Sequence, residues 1–229
     1  MAARSIIVTG GFGVLGNAVA RAFAKQGDRV VRVDSAHQAP EAIAGGFDLA
    51  GVDLADFDAC EKAAGTIRSA HAGIDVLINI AGGFVWETVG DGNIAAFQRM
   101  FDMNLVTAAN MSRAVLPAVK ASSAGHIVNI GAGAAIQSAA GMGAYAASKA
   151  GVHRLTESLA AELAGSAVTV NAVLPSIIDT PANRADMPDA DASQWVQPEA
   201  IADVILFLAS RSARSISGAL IPVSRGTPN

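Results

Sequence analysis

Ile6-Ile7-Val8-Thr9-Gly10-Gly11-Phe12-Gly13-Val14-Leu15-Gly16 is the stretch that decides the fold. Ile6–Thr9 reads as a buried strand, and Gly13–Gln26 reads as a helix. Strand, glycine-rich turn and helix form the context in which such a motif holds a dinucleotide. Gly10 permits the tight turn, Gly13 lets a pyrophosphate approach the backbone, and Gly16 allows close helix–strand packing. The unsatisfied N–H groups of the helix N-terminus then face the phosphates. Phe12 and Leu15 complete the turn as candidate cofactor-binding residues. The competing reading is a structural βα turn that binds nothing.

The next element argues against that alternative. Arg29–Asp34 is a second strand that ends in an acid, about 20 residues beyond the glycines. A carboxylate at Asp34 accepts hydrogen bonds from ribose hydroxyls and repels a 2′-phosphate. The expected cofactor is NAD, with NADP as the alternative because Arg32 shares a strand face with Asp34.

Strand-like runs continue at Asp48–Asp53, Val76–Ile80, His126–Ile130, Thr169–Leu174 and Leu220–Val223. Helical stretches lie between them at Asp56–Ala70, Ile94–Ala121, Ala144–Ala164 and Pro198–Ala209. The alternation predicts a single Rossmann-type α/β domain over residues 1–229. It would be a doubly wound parallel sheet of about seven strands, with helices on both faces. Pro175 to Gln197 breaks the rhythm with Pro, Asp and Asn, and follows a strand's carboxyl end, where open α/β sheets bind ligands. It reads as a substrate lid, with a disordered loop as the other account.

Bulk properties narrow the function. The 229 residues are 52% hydrophobic, enough to cover a parallel sheet on both faces. A net charge of −4 without a basic block argues against nucleic acid. The single cysteine, Cys60, rules out an internal disulfide and most cysteine metal sites, which fits a reducing compartment. No apolar run is long enough for a bilayer, and no secretory pattern opens the chain, so a cytoplasmic protein is expected. His37, His71, His126 and His153 lack metal-ligand spacing, and Asp179, Asp186, Asp189 and Asp191 lack a Ca²⁺-loop pattern; no metal is expected.

Tyr145, the only tyrosine, precedes Lys149 by four residues, so a helix would put both on one face. A free phenol titrates near about 10, and a neighbouring ammonium is expected to lower that value. The pair is a candidate proton-transfer device, although the same spacing also occurs on surface helices by chance.

Together these parts resemble the short-chain dehydrogenase/reductase family over nearly the whole chain. The motifs stand as Thr9-Gly10…Gly13…Gly16, Asp53-Leu54, Asn79-Ile80-Ala81-Gly82, Asn104, Tyr145-x-x-x-Lys149 and Pro175…Thr180. The resemblance implies an NAD(P)-dependent oxidoreductase that acts on a small molecule. Asp53 and Leu54 would hold adenine, Ala81, Gly82 and Gly83 would border the riboses, and Pro175, Ile178 and Thr180 would bracket the carboxamide. Lys149 would bind the nicotinamide ribose and tune Tyr145, the proton donor or acceptor, and Asn104 would shape a water relay. It also implies a homo-oligomer, a dimer or tetramer assembled through the long helices.

Two departures stand out. Val14 replaces the middle glycine of the family's commoner turn, and Ala132 stands where a serine usually lies, thirteen residues before the tyrosine. A methyl group cannot polarise a carbonyl. The catalytic and lid segments also resemble quinonoid dihydropteridine reductases, which lack that serine. They include Gly131-Ala132-x-Ala134-Ala135, Gly141-Met142-x-x-Tyr145 and Asp179-Thr180-Pro181-x-Asn183-Arg184. The expected function is hydride transfer between nicotinamide and a small carbonyl, alcohol or quinonoid ring. The alternatives are a dihydropteridine reductase using NADH, and an NAD-binding sensor or scaffold with little turnover. Phe84, Trp86, Gln137, Arg184 and Trp195 are candidate substrate contacts from their placement.

Overall fold

The computed structural model describes residues 3–226. In chain order the elements begin with β1 (Ser5–Thr9), α1 (Val14–Lys25), β2 (Arg29–Val33), β3 (Phe47–Leu49), α2 (Phe57–His71) and β4 (Val76–Asn79). Then come α3 (Ala95–Phe101), α4 (Thr107–Ala121), β5 (His126–Ile130) and α5 (Gly143–Glu162). The chain closes with β6 (Thr169–Pro175), α6 (Pro181–Asp186), α7 (Pro198–Leu208) and β7 (Leu220–Val223).

The seven strands form one sheet in the order β3-β2-β1-β4-β5-β6-β7, with every pairing parallel. This is the doubly wound α/β sheet expected from the alternation of elements. The strand sequences explain it. Ile6 and Val8 join the core under α1 and α7, whereas Ile7 between them joins the core under α2 and α4. A period of two with both faces apolar requires cover on both sides. Phe23 of α1 and Ile205 and Leu208 of α7 are wholly buried on the first face, and Ile67, Met111 and Val115 on the second. Truncating Phe23 to alanine would cost about 3–5 kcal/mol.

The order reverses beside β1, since β2 and β3 extend one way and β4 onward the other. A crevice therefore opens at the carboxyl ends of β1 and β4, the place where such sheets bind ligands.

Three expectations change. The strand expected at Asp48–Asp53 ends at Leu49, and Gly51 turns the chain with φ +70, so Asp53 lies in the loop before α2. The helix expected at Ile94–Ala121 is interrupted by a π turn at Asp102–Val106 between α3 and α4. The segment 175–197 is neither disordered nor an open loop. Thr180 caps α6 with Pro181 at its first turn, Asp191 caps a short 3₁₀ turn, and Ile178 bridges to Val196.

Candidate active site

A cleft of about 1410 Å³ runs along the carboxyl ends of the strands. Gly10, Phe12, Gly13, Leu15, Gly16, Asp34, Asp53, Leu54, Ala81, Gly82 and Thr180 line it. Sequence reasoning missed other parts of its wall, including Ala36, Pro40 and Val52 on one side and Gln98 and Met103 on the other. These residues carry no motif and gather only when the sheet closes. Gly83, Tyr145, Lys149, Pro175 and Ile178 stand outside this lining. Lys149 and Pro175 are buried behind it, Gly83 is covered by the Met103 sulfur, and Ile178 packs against the core.

The glycine turn is built for close approach. Gly10 has φ +62, and a Cβ there would lie 2.8 Å from the Ala81 nitrogen. Gly13 is the N-cap of α1 and provides no side-chain hydrogen bond, so the first-turn N–H groups have no side-chain cap. Val14, at the place of the family's middle glycine, is half exposed on the first turn. At the next strand Asp34 accepts from the Phe12 N–H at 3.0 Å and the Ala36 N–H at 3.0 Å. Arg32 does not compete at this place. It is buried, held by Asp48 at 2.7 and 2.8 Å and by the Asn17 side chain at 3.0 Å. An uncapped helix N-terminus, a glycine-only approach and a carboxylate at the second strand fit a dinucleotide.

On α5, Tyr145 and Lys149 share one face as their spacing requires. The Lys149 Nζ donates to the Ile130 carbonyl at 2.7 Å, at the end of β5. Burial lowers its pKa to about 8. Burial also raises the Tyr145 phenol to about 12. The expectation that the ammonium lowers the phenol is therefore overturned in this state, because loss of solvation outweighs any help from Lys149. Burial therefore holds the Tyr145 phenol in its protonated form at neutral pH.

Asn104 lies in the π turn and is buried. Its Oδ1 accepts from the Gly83 N–H at 2.9 Å. Its Nδ2 donates to the Gly83 carbonyl at 3.1 Å and to Ser148 Oγ at 2.9 Å. The side chain thus staples the segment after β4 to α5. A π turn inserts one extra residue per turn and rotates Asn104 inward, a feature that side-chain periodicity does not reveal.

The candidate substrate residues divide. Phe84 is exposed and meets Tyr145 edge-on, with ring centroids 5.0 Å apart. Trp86 is exposed and stacks over Gly141, where a Cβ would strike its indole. Gln137 is exposed outside the cleft lining. Trp195 is 4% exposed, so it is a packing residue and not a pocket wall. Arg184, the remaining candidate, is exposed and paired with Asp179 by bonds of 2.6 and 2.8 Å. Gln197 also donates to Asp179 at 2.8 Å, and together they hold that carboxyl down at about 2.

Fold and site define a nucleotide-dependent oxidoreductase on a Rossmann-type sheet. The chain belongs to the short chain dehydrogenase family, whose sequence model matches residues 4–191. It is an NAD(P)-dependent oxidoreductase of that family. It is 31% identical to the 3-oxoacyl-[acyl-carrier-protein] reductase MabA of Mycobacterium tuberculosis over 97% of this chain and 92% of the relative. It is 31% identical to the acetoacetyl-CoA reductase of Allochromatium vinosum over 98% of each chain. The Thermoplasma acidophilum aldohexose dehydrogenase structure superimposes with a TM-score of 0.86 at 26% identity, covering 99% of this chain and 98% of that one. No helix among the described residues is long and apolar enough to cross a membrane.

Proposed function

We propose that this enzyme prefers NADH and reduces a small carbonyl substrate, or oxidises the matching alcohol, with Tyr145 exchanging the proton. The observation that carries the reading is the pairing on α5: a protonated phenol one helical turn from a buried lysine held by the Ile130 carbonyl. Asp34 at the end of β2, with Arg32 tied to Asp48, supports NADH over NADPH.

Bound nicotinamide would supply the hydride. Gly10, Gly13 and the α1 N-terminus would receive the pyrophosphate, Asp34 a ribose, and Asp53 and Leu54 the adenine. Lys149 would hold the nicotinamide ribose. Pro175, Ile178 and Thr180 would border the carboxamide from the base of the 175–197 lid. In the reducing direction the substrate carbon gains hydride, its C=O electron pair moves to oxygen, and the Tyr145 hydroxyl gives that oxygen its proton. Asn104 acts by holding Gly83 and Ser148, which keeps α5 in register with the segment after β4. Assembly into a homo-oligomer through α4 and α5, in the cytoplasm, belongs to the same reading.

A second reading has one observation in its favour. Ala132 is buried and its only hydrogen-bond donor, the backbone N–H, is taken by His153 at 3.3 Å. No side-chain donor faces a developing alkoxide from this position. A quinonoid dihydropterin ring gains hydride without forming an alkoxide, so it would suit such a site. The 3-oxoacyl and acetoacetyl reductases among the relatives favour the carbonyl reading.

NADH absorbance separates the two readings, using freshly generated quinonoid dihydropterin in one series and a panel of ketones and 3-oxoacyl thioesters in the other. Saturable oxidation confined to the pterin selects the second reading, and oxidation confined to the carbonyl panel selects the first. Tight NADH binding with no turnover on either panel leaves a nucleotide-binding scaffold.

A further inference from the structure

His153 follows Lys149 by four residues and is buried on the same face of α5. In the sequence it reads as a surface or structural histidine without metal-ligand spacing. Its Nε2 faces the backbone that leaves β5, where the Ala132 N–H reaches it at 3.3 Å. The donor is the peptide, so Nε2 is the bare nitrogen of a neutral ring and the proton sits on Nδ1. The imidazole lies so close to Gly131 that a Cβ there would be 2.5 Å from Nε2 and 2.7 Å from Cδ2. On the other side, the Gly131 N–H donates to the Val173 carbonyl of β6 at 2.9 Å. The three residues Ile130, Gly131 and Ala132 are therefore clamped between β6 and His153. The first of them carries the carbonyl that receives the Lys149 ammonium.

The geometry points to His153 as a positioning residue: through its bond to the Ala132 N–H, it fixes the Ile130 carbonyl and so the Lys149 ammonium. A lysine on a flexible stem has three rotatable donors and no preferred direction of its own. The Ile130 carbonyl supplies that direction; its peptide plane is held by the Gly131 N–H bond to Val173, and the next peptide by the Ala132 N–H bond to His153. His153 also explains Gly131, because the imidazole occupies the room that a side chain there would need. The kinetic consequence rests on the oxidoreductase reading, whereas the structural one does not.

Two measurements test this. The first is the ¹⁵N spectrum of histidine-labelled protein at neutral pH, with the His153 signal assigned by its loss in His153→Gln. A neutral ring with a bare, pyridine-type Nε2 is expected. An imidazolium or an Nε2–H tautomer would overturn the proposal.

The second compares His153→Leu, which fills space without an acceptor, with His153→Gln, whose amide oxygen can occupy the Nε2 position. His153→Met replaces the leucine variant if that chain does not fold. Loss of alignment predicts a fall in kcat on the order of tenfold to a hundredfold for Leu, little change in substrate KM, and recovery of most of the loss by Gln. Should no substrate be turned over, NADH affinity gives the same comparison, weakened by Leu and restored by Gln. Equal behaviour of Leu and Gln in both kcat and NADH affinity would overturn the role of the acceptor.

Discussion

The Phe84 ring stands edge-on to the Tyr145 phenol, with centroids 5.0 Å apart and planes at 80°. Phe84 is largely exposed, so it forms an aromatic wall on the open side of the only tyrosine. On the proposed reading, a substrate entering from solvent would pass Phe84 on its way to the hydroxyl. Tyr145→Phe keeps this contact and removes only the oxygen. Turnover should fall by about 10²–10⁴-fold, while NADH affinity measured by fluorescence stays near the wild-type value. Turnover close to wild type would remove Tyr145 from proton transfer.

The pH profile of kcat/KM for reduction should follow Lys149. Its pKa is lowered to about 8 by burial, whereas Tyr145 stays protonated to about 12. The rate should hold steady between about pH 6 and 7.5 and then fall with a midpoint near about 8 as the ammonium loses its proton. In Lys149→Met the rate should be low throughout and this descending limb should vanish. A limb that persists in the variant belongs to another group.

Asp34→Ala should weaken NADH more than NADPH and bring the two affinities together. It should not create a strong NADPH preference. The nearby cation, Arg32, is locked to Asp48 at 2.7 Å and to Asn17 at 3.0 Å, so it cannot swing to a 2′-phosphate. Titration of both cofactors against the variant reads the ratio directly. NADPH binding tighter than wild-type NADH binding would show that Arg32 is free after all.

Ala132→Ser tests the missing hydroxyl. With a carbonyl substrate a new donor should raise kcat, by up to about 10²-fold if it finds the developing oxyanion. With a quinonoid ring it should change little or lower the rate. The sign of the change on each substrate, measured by NADH oxidation, reports which chemistry the native site serves.

Acid should destabilise the fold through the buried histidines at the other end of the sheet. His126 bonds Thr169 at 2.7 Å, and its pKa is lowered from 6.5 to about 4 by burial and then by Arg4. The unfolded chain takes up this proton below about 6.5, and the native ring does not until about 4. The contribution is complete above pH 6.5 and is lost as pH falls toward 4. It amounts to about 3 kcal/mol. His71, paired with Ser5 at 2.9 Å and also lowered by burial, acts in the same direction. Urea unfolding of wild type and His126→Gln at pH 7.5 and pH 5 measures this, and the variant should show the smaller change with pH.

Much of this protein could be read from short-range pattern. The run Ile6–Thr9 followed by Gly10 to Gly16 specifies a strand, a turn and a helix, because glycine geometry and side-chain period act within a few residues. The same holds for the seven-strand sheet and for the shared helical face of Tyr145 and Lys149, which follows from 3.6 residues per turn. What tertiary structure alone decided are pairings between residues far apart in the chain. Asn104 turns inward because a π turn interrupts a helix that would otherwise read as continuous, and it then meets Gly83 and Ser148. Arg184, which sequence placement made a substrate contact, is engaged by Asp179, and Trp195, at the end of the segment 175–197, is buried. Desolvation, which neither composition nor spacing encodes, raised Tyr145 where a neighbouring charge was expected to lower it. Local sequence dictates periodicity and turn chemistry. Burial and long-range hydrogen bonds arise only when the sheet brings β5, α5 and the π turn to one place.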